Sequence, residues 1–182
     1  MTLEAARAAL RLRQGAGARY DAPEAPAQAL TDARRGMAYF ARKLNDLPDA
    51  ALWDASARPG WSRRRVIAGA ALQARDIAQR LEDATGQQGD REDTGPAALD
   101  LAETLPARAL RHLAAHADIH LNVVWRDLTG ADWPLAAATP HARAVAIWAA
   151  ALALRNGGRL ADVPQPLREA VHARITEQPD LA

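Results

Sequence analysis

The stretch AVAIWAAALALRNGG, residues 144–158, puts apolar side chains on every side of a helix and then stops on Asn-Gly-Gly. A helix apolar all round must be enclosed by other elements or by lipid, because any exposed face would leave apolar surface in water. Spanning a bilayer takes about 20 apolar residues, whereas Arg143 and Arg155 bracket a run of only 11. The segment therefore reads as the inner helix of a helical domain. No later segment reaches membrane length, and the opening MTLEAAR has no apolar signal core, so the expectation is a cytoplasmic chain with no membrane partner.

A length of 182 residues allows one domain with a proper core. Lys and Arg number 23 against 22 Asp and Glu, a formal charge of +1, which excludes the usual electrostatic footprint of a nucleic-acid binder. There is no cysteine, so a disulfide framework, a thiolate nucleophile and a thiolate metal site are all ruled out. Any thiol chemistry has to use an external thiol.

Helical spacing of Leu3, Ala6 and Leu10 predicts a short first helix, and the Gly- and Pro-rich stretch after it a loop, so residues 1–26 form a terminal appendage. Over 27–45, Leu30, Ala33, Met37, Phe40, Ala41 and Leu44 form one stripe, with Arg34, Arg35, Arg42 and Lys43 elsewhere. Ser62 is a good N-cap for a helix over 63–84. The polar TGQQGDREDTGP reads as a mobile loop. Thr104 is expected to cap a long helix reaching Leu128, with Arg111, Asp118 and Asn122 on its polar arc. A loop with Trp133 and Pro134 follows, then Thr139 as N-cap and Pro140 at N1 of the apolar helix, which Gly157 or Gly158 ends. Residues 161–182 form a tail able to make one more short helix. No sustained alternating pattern with hairpin turns occurs, so the fold class is all-α, centred on four helices in residues 27–160.

Three segments, PGWSRRRVIAGAALQAR, HLNVVWRDL and IWAAALALRNGG, together make the chain similar to the DinB-like superfamily and, within it, to the maleylpyruvate isomerase family. The resemblance covers residues 27–160 and implies a four-helix bundle with short additional terminal helices. It also implies a divalent metal, usually zinc, on a histidine of the second bundle helix and a Glu-x-x-x-His pair of the last, a Lewis-acid site that works with a low-molecular-weight thiol. Family members dimerise, which makes a homodimer an expectation here, and many carry a further C-terminal domain. Carried over residue by residue, the three ligand positions fall on Gly69, Ala146 and Ala150, none of which offers a donor atom. The expectation is accordingly no metal and no cofactor.

Three small residues at inward positions point to released constraint with a new use of the pocket, or to removal by design. Truncation leaves a cavity unless neighbours collapse into it, and a dry apolar cavity accepts apolar ligands. One reading is a metal-free pocket for a small molecule, with Gly69, Ala146, Ala150, Trp148, Leu72 and His120 as candidate ligand contacts. The other is that Trp148 and Leu72 fill the space and nothing binds. Arg65, Gly69, Gln73, Asp76 and Arg80 share one side of the second helix, so metal-independent catalysis would use Asp76 as general base, with Gln73 or Arg65 holding a developing anion. The plainer reading pairs Asp76 with Arg80 at i, i+4 on a solvated edge. His112, His116 and His120 repeat every four residues, which suits either a metal ladder or ordinary half-buried histidines with no carboxylate converging on them. The five tryptophans, scattered near helix ends, read as core and cap packing, and no serine sits in a nucleophile elbow.

Overall fold

The computed structural model describes residues 21–87 and 91–176. The expected first helix, residues 88–90 of the polar loop and the last six residues lie outside them. In chain order the helices are α1 (Ala27–Asn45), α2 (Arg63–Ala84), the short α3 (Pro96–Thr104), α4 (Ala107–Asp127), a single turn α5 (Trp133–Ala136), α6 (Thr139–Ala153) and α7 (Arg168–Thr176). Among the described residues there is no strand, only an isolated bridge between Ala55 and Ser62. The fold is all-α, as expected.

Helices α1, α2, α4 and α6 form the bundle: α1 lies along α6, α2 along α4, and α2 and α6 close the centre. Most of the α1 stripe is buried as read, with Leu30, Ala33, Met37, Phe40 and Leu44 in the core, whereas Ala41 is exposed. Helix α6 is enclosed: Ala144, Ile147, Ala151 and Leu154 are fully buried. Gly36 allows α1 to approach it closely, since a Cβ there would stand 2.6 Å from Ile147 Cγ2 and 2.9 Å from Trp148 Cδ1. The tail joins the same core through Val163, Leu167 and Val171.

Several helix ends differ from expectation. The long fourth helix is two elements, because Thr104 ends α3 and α4 starts only after Leu105 and Pro106, both extended. Thr139 lies inside α6; its hydroxyl donates to the Ala136 carbonyl (2.8 Å) and accepts from Trp125 Nε1 (3.1 Å). Helix α6 stops at Arg155, not at a glycine: Arg155 takes φ 50°, and Gly157 (φ 70°) shapes the turn beyond. Trp133 starts a helical turn and is buried, not in a loop. Ser62 caps α2 as read, accepting from the Arg65 N–H at 3.0 Å.

The stretch Trp133–Ala153 is, by length and composition, apolar enough to cross a membrane, longer than the 11-residue run suggested. It is divided between α5 and α6 and half buried within the bundle.

Arginines complete the helix ends. The last carbonyls of a helix lack intrahelical donors and carry the negative end of its dipole, so a guanidinium there is doubly favourable. Arg63 reaches the end of α6 through the Leu154 carbonyl (2.6 Å), and Arg64, stacked 4.1 Å from the Trp53 ring centre, donates to the Glu103 carbonyl (2.7 Å) at the end of α3. Arg111 donates to the carbonyls of Leu44 and, at 2.6 Å, Leu47 beyond α1.

A clasp joins the tail to α1: the Tyr39 hydroxyl donates to Asp162 at 2.7 Å, and Arg159 donates to the same carboxylate from its backbone and side chain. The Tyr39 bond, then those from Arg159, lower the Asp162 pKa from 3.8 to about 2. A carboxyl whose pKa is lower when folded contributes stability that is fully present above its unfolded value and lost as pH falls through the folded value. The difference in melting temperature between the wild type and Asp162→Asn should therefore hold steady above about pH 5 and close between pH 3.8 and 2. A difference that persists unchanged at pH 2 would remove the clasp from the account of acid stability.

Candidate functional site

Helices α2 and α6 meet through small residues, and beside that seam lies a pocket of about 630 Å³. Val66, Gly69, Ala70, Leu72, Gln73 and Asp76 form its α2 wall, and Ala146, Ala149, Ala150 and Ala153 its α6 wall. Thr94, Gly95, Pro96 and Leu99 close a third side, Arg174 and Ile175 of α7 a fourth, and Arg58 and Trp61 stand at the entry to α2. The third side is held in place by Gln79, whose amide accepts from the Glu92 N–H (2.9 Å) and donates to the Glu92 carbonyl (3.2 Å). That two-point contact fixes the strand of loop leading into α3.

The positions named from the sequence divide. Gly69, Ala146, Ala150, Leu72, Gln73, Asp76 and Arg65 all line this one pocket. Trp148 does not: its indole turns into α1, donating to the Asp32 carbonyl at 3.1 Å and packing on Tyr39 with ring centres 4.8 Å apart. The expectation that Trp148 fills the space or touches a ligand is corrected, since it lies roughly opposite Ala146, Ala149, Ala150 and Ala153 on α6 and packs toward α1. His120 is also elsewhere. Its Nε2 sits 2.7 Å from Glu82, so a carboxylate does converge on the histidine row, at hydrogen-bond distance. His112 and His116 are exposed, ring centres 5.9 Å apart.

Trp61 packs against the edge of the core and also lines the pocket; its ring edge leans over Gly69, so that a Cβ at 69 would lie 3.1 Å from Trp61 Cζ3. Arg58 stacks on that ring at 3.8 Å, and Arg65 lies 5.2 Å from its centre. Arg65 also binds Asp100 at 2.7 Å and Glu103 at 2.9 Å, and these two hydrogen bonds, Asp100 first, raise its pKa above the usual guanidinium value. Arg65 is thus largely committed to α3. Asp76 pairs with Arg80 at 2.6 Å, the plainer of the two arrangements expected for it, while still lining the pocket.

The sequence reading missed Arg143. It lies in α6, is 1% exposed, and is held by Asp118 of α4, the Ala70 carbonyl (2.7 Å) and Gln73 Oε1 (2.7 Å). A lone arginine between apolar neighbours was the available signal, because a charge enclosed by a bundle requires a partner. Arg174 and the 94–96 segment were not foreseeable, as they reach the pocket from distant parts of the chain, and Arg58, just ahead of α2, was also missed.

The divalent metal implied by the resemblance does not fit these residues. Gly69, Ala146 and Ala150 carry no donor, Asp76 is the pocket's carboxylate and is paired, and among the described residues no three of His, Cys, Asp and Glu cluster in a way that could hold an ion. The walls offer instead apolar surface, an amide and guanidinium groups.

No protein-family model and no curated protein matches the chain. Among solved structures it is similar to the crystal structure of the mycothiol-dependent maleylpyruvate isomerase, with 25% identity over 82% of this chain and 69% of that one and a TM-score of 0.73. A mutant of the mycothiol-dependent maleylpyruvate isomerase with a histidine replaced by alanine matches over the same shares at 25% identity and a TM-score of 0.71. The helical bundle described above is therefore a maleylpyruvate isomerase-like fold.

Proposed function

We propose that this chain is a maleylpyruvate isomerase-like bundle whose central pocket takes a small molecule without a metal ion, as a binding site or as a site of metal-independent chemistry. One observation carries the reading: Gly69, Ala146 and Ala150 converge on one cavity of about 630 Å³ and put no ligating atom into it. That volume lies within the range of pockets that enclose small organic ligands, about 300–1,000 Å³, and apolar walls with a few polar groups are their usual lining. Among the pocket's side chains Asp76 has the chemistry of a general base, and Gln73 and Arg65 that of anion-holding groups. The partner is a small molecule; the balanced charge gives nucleic acid no purchase, and the setting we propose is the cytoplasm.

The test is a thermal-shift screen of small aromatic and apolar compounds, paired with metal analysis of the purified chain. A ligand that binds only the folded state at 100 times its Kd stabilises by about 2.7 kcal/mol, so hits should raise Tm in a concentration-dependent way, and added zinc should not. The competing reading, favoured by the similarity to a mycothiol-dependent isomerase, is a thiol-dependent cis-trans isomerase. Stoichiometric zinc together with maleylpyruvate isomerisation dependent on mycothiol or glutathione would replace our reading with that one.

A further inference from the structure

One of the polar groups that line this pocket from α2, the Gln73 amide, is set by residues behind it. Arg143 is enclosed between α2, α4 and α6, and its guanidinium, which can only donate, contacts Asp118, the Ala70 carbonyl and the side-chain amide of Gln73. The Gln73 amide therefore has a determined orientation: the atom toward Arg143 must be the acceptor Oε1, at 2.7 Å. Its Nε2 is left with no partner among the described residues, yet it is not a buried orphan, and Gln73 lines the pocket. Of the other donors that line the pocket, Arg65 is occupied by Asp100 and Glu103, while Arg58 and Arg174 come from outside α2.

Resting on the pocket reading above, we infer that Gln73 is its specificity-determining residue. Locked by Arg143 and Asp118, it presents an NH2 group that selects ligands with a carbonyl-type oxygen on an apolar body. Arg143 and Asp118 are positioning residues. They touch no ligand, but they prevent the amide from rotating to show its oxygen, which would select amines instead. The charged pair behind the amide also polarises it, strengthening the outward donor.

Neutral probes separate this from attraction by the guanidinium groups at the rim. Acetophenone carries C=O where α-methylstyrene, of nearly the same shape, carries C=CH2, and this neutral pair is the test; benzylamine, protonated at neutral pH, serves as a cationic comparison. Their affinities for the full chain are read by calorimetry, with the Trp61 indole N–H followed by NMR. Gln73→Glu keeps the acceptor toward Arg143 and removes the outward donor. It should lower the acetophenone-to-α-methylstyrene affinity ratio roughly three- to tenfold, the size of one hydrogen bond, and raise benzylamine binding. Arg143→Lys, too short-forked to hold Asp118 and Gln73 together, should move the ratio the same way with α-methylstyrene unchanged. If the probes bind and Gln73→Glu leaves the ratio within twofold of wild type, the role of Gln73 is overturned while the pocket reading stands. If no probe binds the wild type, both fall.

Discussion

Arg143→Met is expected to destabilise the protein by about 3–5 kcal/mol, the range found when one partner of a buried ion pair is removed. The arginine is 1% exposed, and the Asp118 carboxylate it holds is only 15% exposed, so the variant leaves a largely enclosed charge without its counterion. The same change strips a donor from the Ala70 carbonyl and from Gln73. For a chain of this size each kcal/mol moves Tm by about 2–4 °C, so a drop on the order of 10 °C is the expected reading. The double variant Arg143→Met, Asp118→Leu removes both charges and should recover a large part of the loss, because an apolar pair of similar volume tolerates burial. Chemical denaturation of the two variants decides it. A single variant within 1 kcal/mol of wild type would mean that the pair is solvated in solution.

Gly36→Val is expected to cost about 3 kcal/mol by overpacking the seam between α1 and α6. Even the first added carbon would stand 2.6 Å from Ile147 Cγ2 and 2.9 Å from Trp148 Nε1. Neither neighbour has room to yield: Ile147 is fully buried, and Trp148 is fixed by its bond to the Asp32 carbonyl. Removing a mid-helix glycine returns less than about 1 kcal/mol of helix propensity, which the steric cost exceeds. Because the indole is tied to the position of α1, the variant should also shift Trp148 fluorescence. Unchanged denaturation midpoint and emission would show that α1 slides freely on α6.

The helices most legible in the sequence were those whose own side chains decide them. The α1 stripe and the Ser62 cap of α2 are local signals, and both elements run over the expected residues. The α3–α4 break was also written locally, in Pro106: proline fixes its own φ and disfavours helix in the residue before it. Thr104 satisfies the composition of an N-cap but ends a helix here, its hydroxyl donating to the Leu101 carbonyl at 2.7 Å. At the site, one face of α2 contained Arg65, Gly69, Gln73 and Asp76, and helical spacing alone grouped them. Trp148 shares α6 with the pocket alanines but lies about 150° round the helix from them, so spacing already set it on another face; what spacing does not contain is that the element it meets there is α1. The arginines that complete helix ends are invisible for the same reason, since each serves a carbonyl far away in the chain, as Arg111 does for Leu47.

The indole edge of Trp61 over Gly69 sets a condition on how this fold can change. The Cβ of a histidine introduced at 69 would stand 3.1 Å from that ring, on which Arg58 stacks at 3.8 Å. A side chain at 69 therefore requires the indole to shift by a few tenths of an ångström, so adding a donor group there is coupled to the packing of Trp61. A single aromatic contact thus bears on which side chains position 69 accepts.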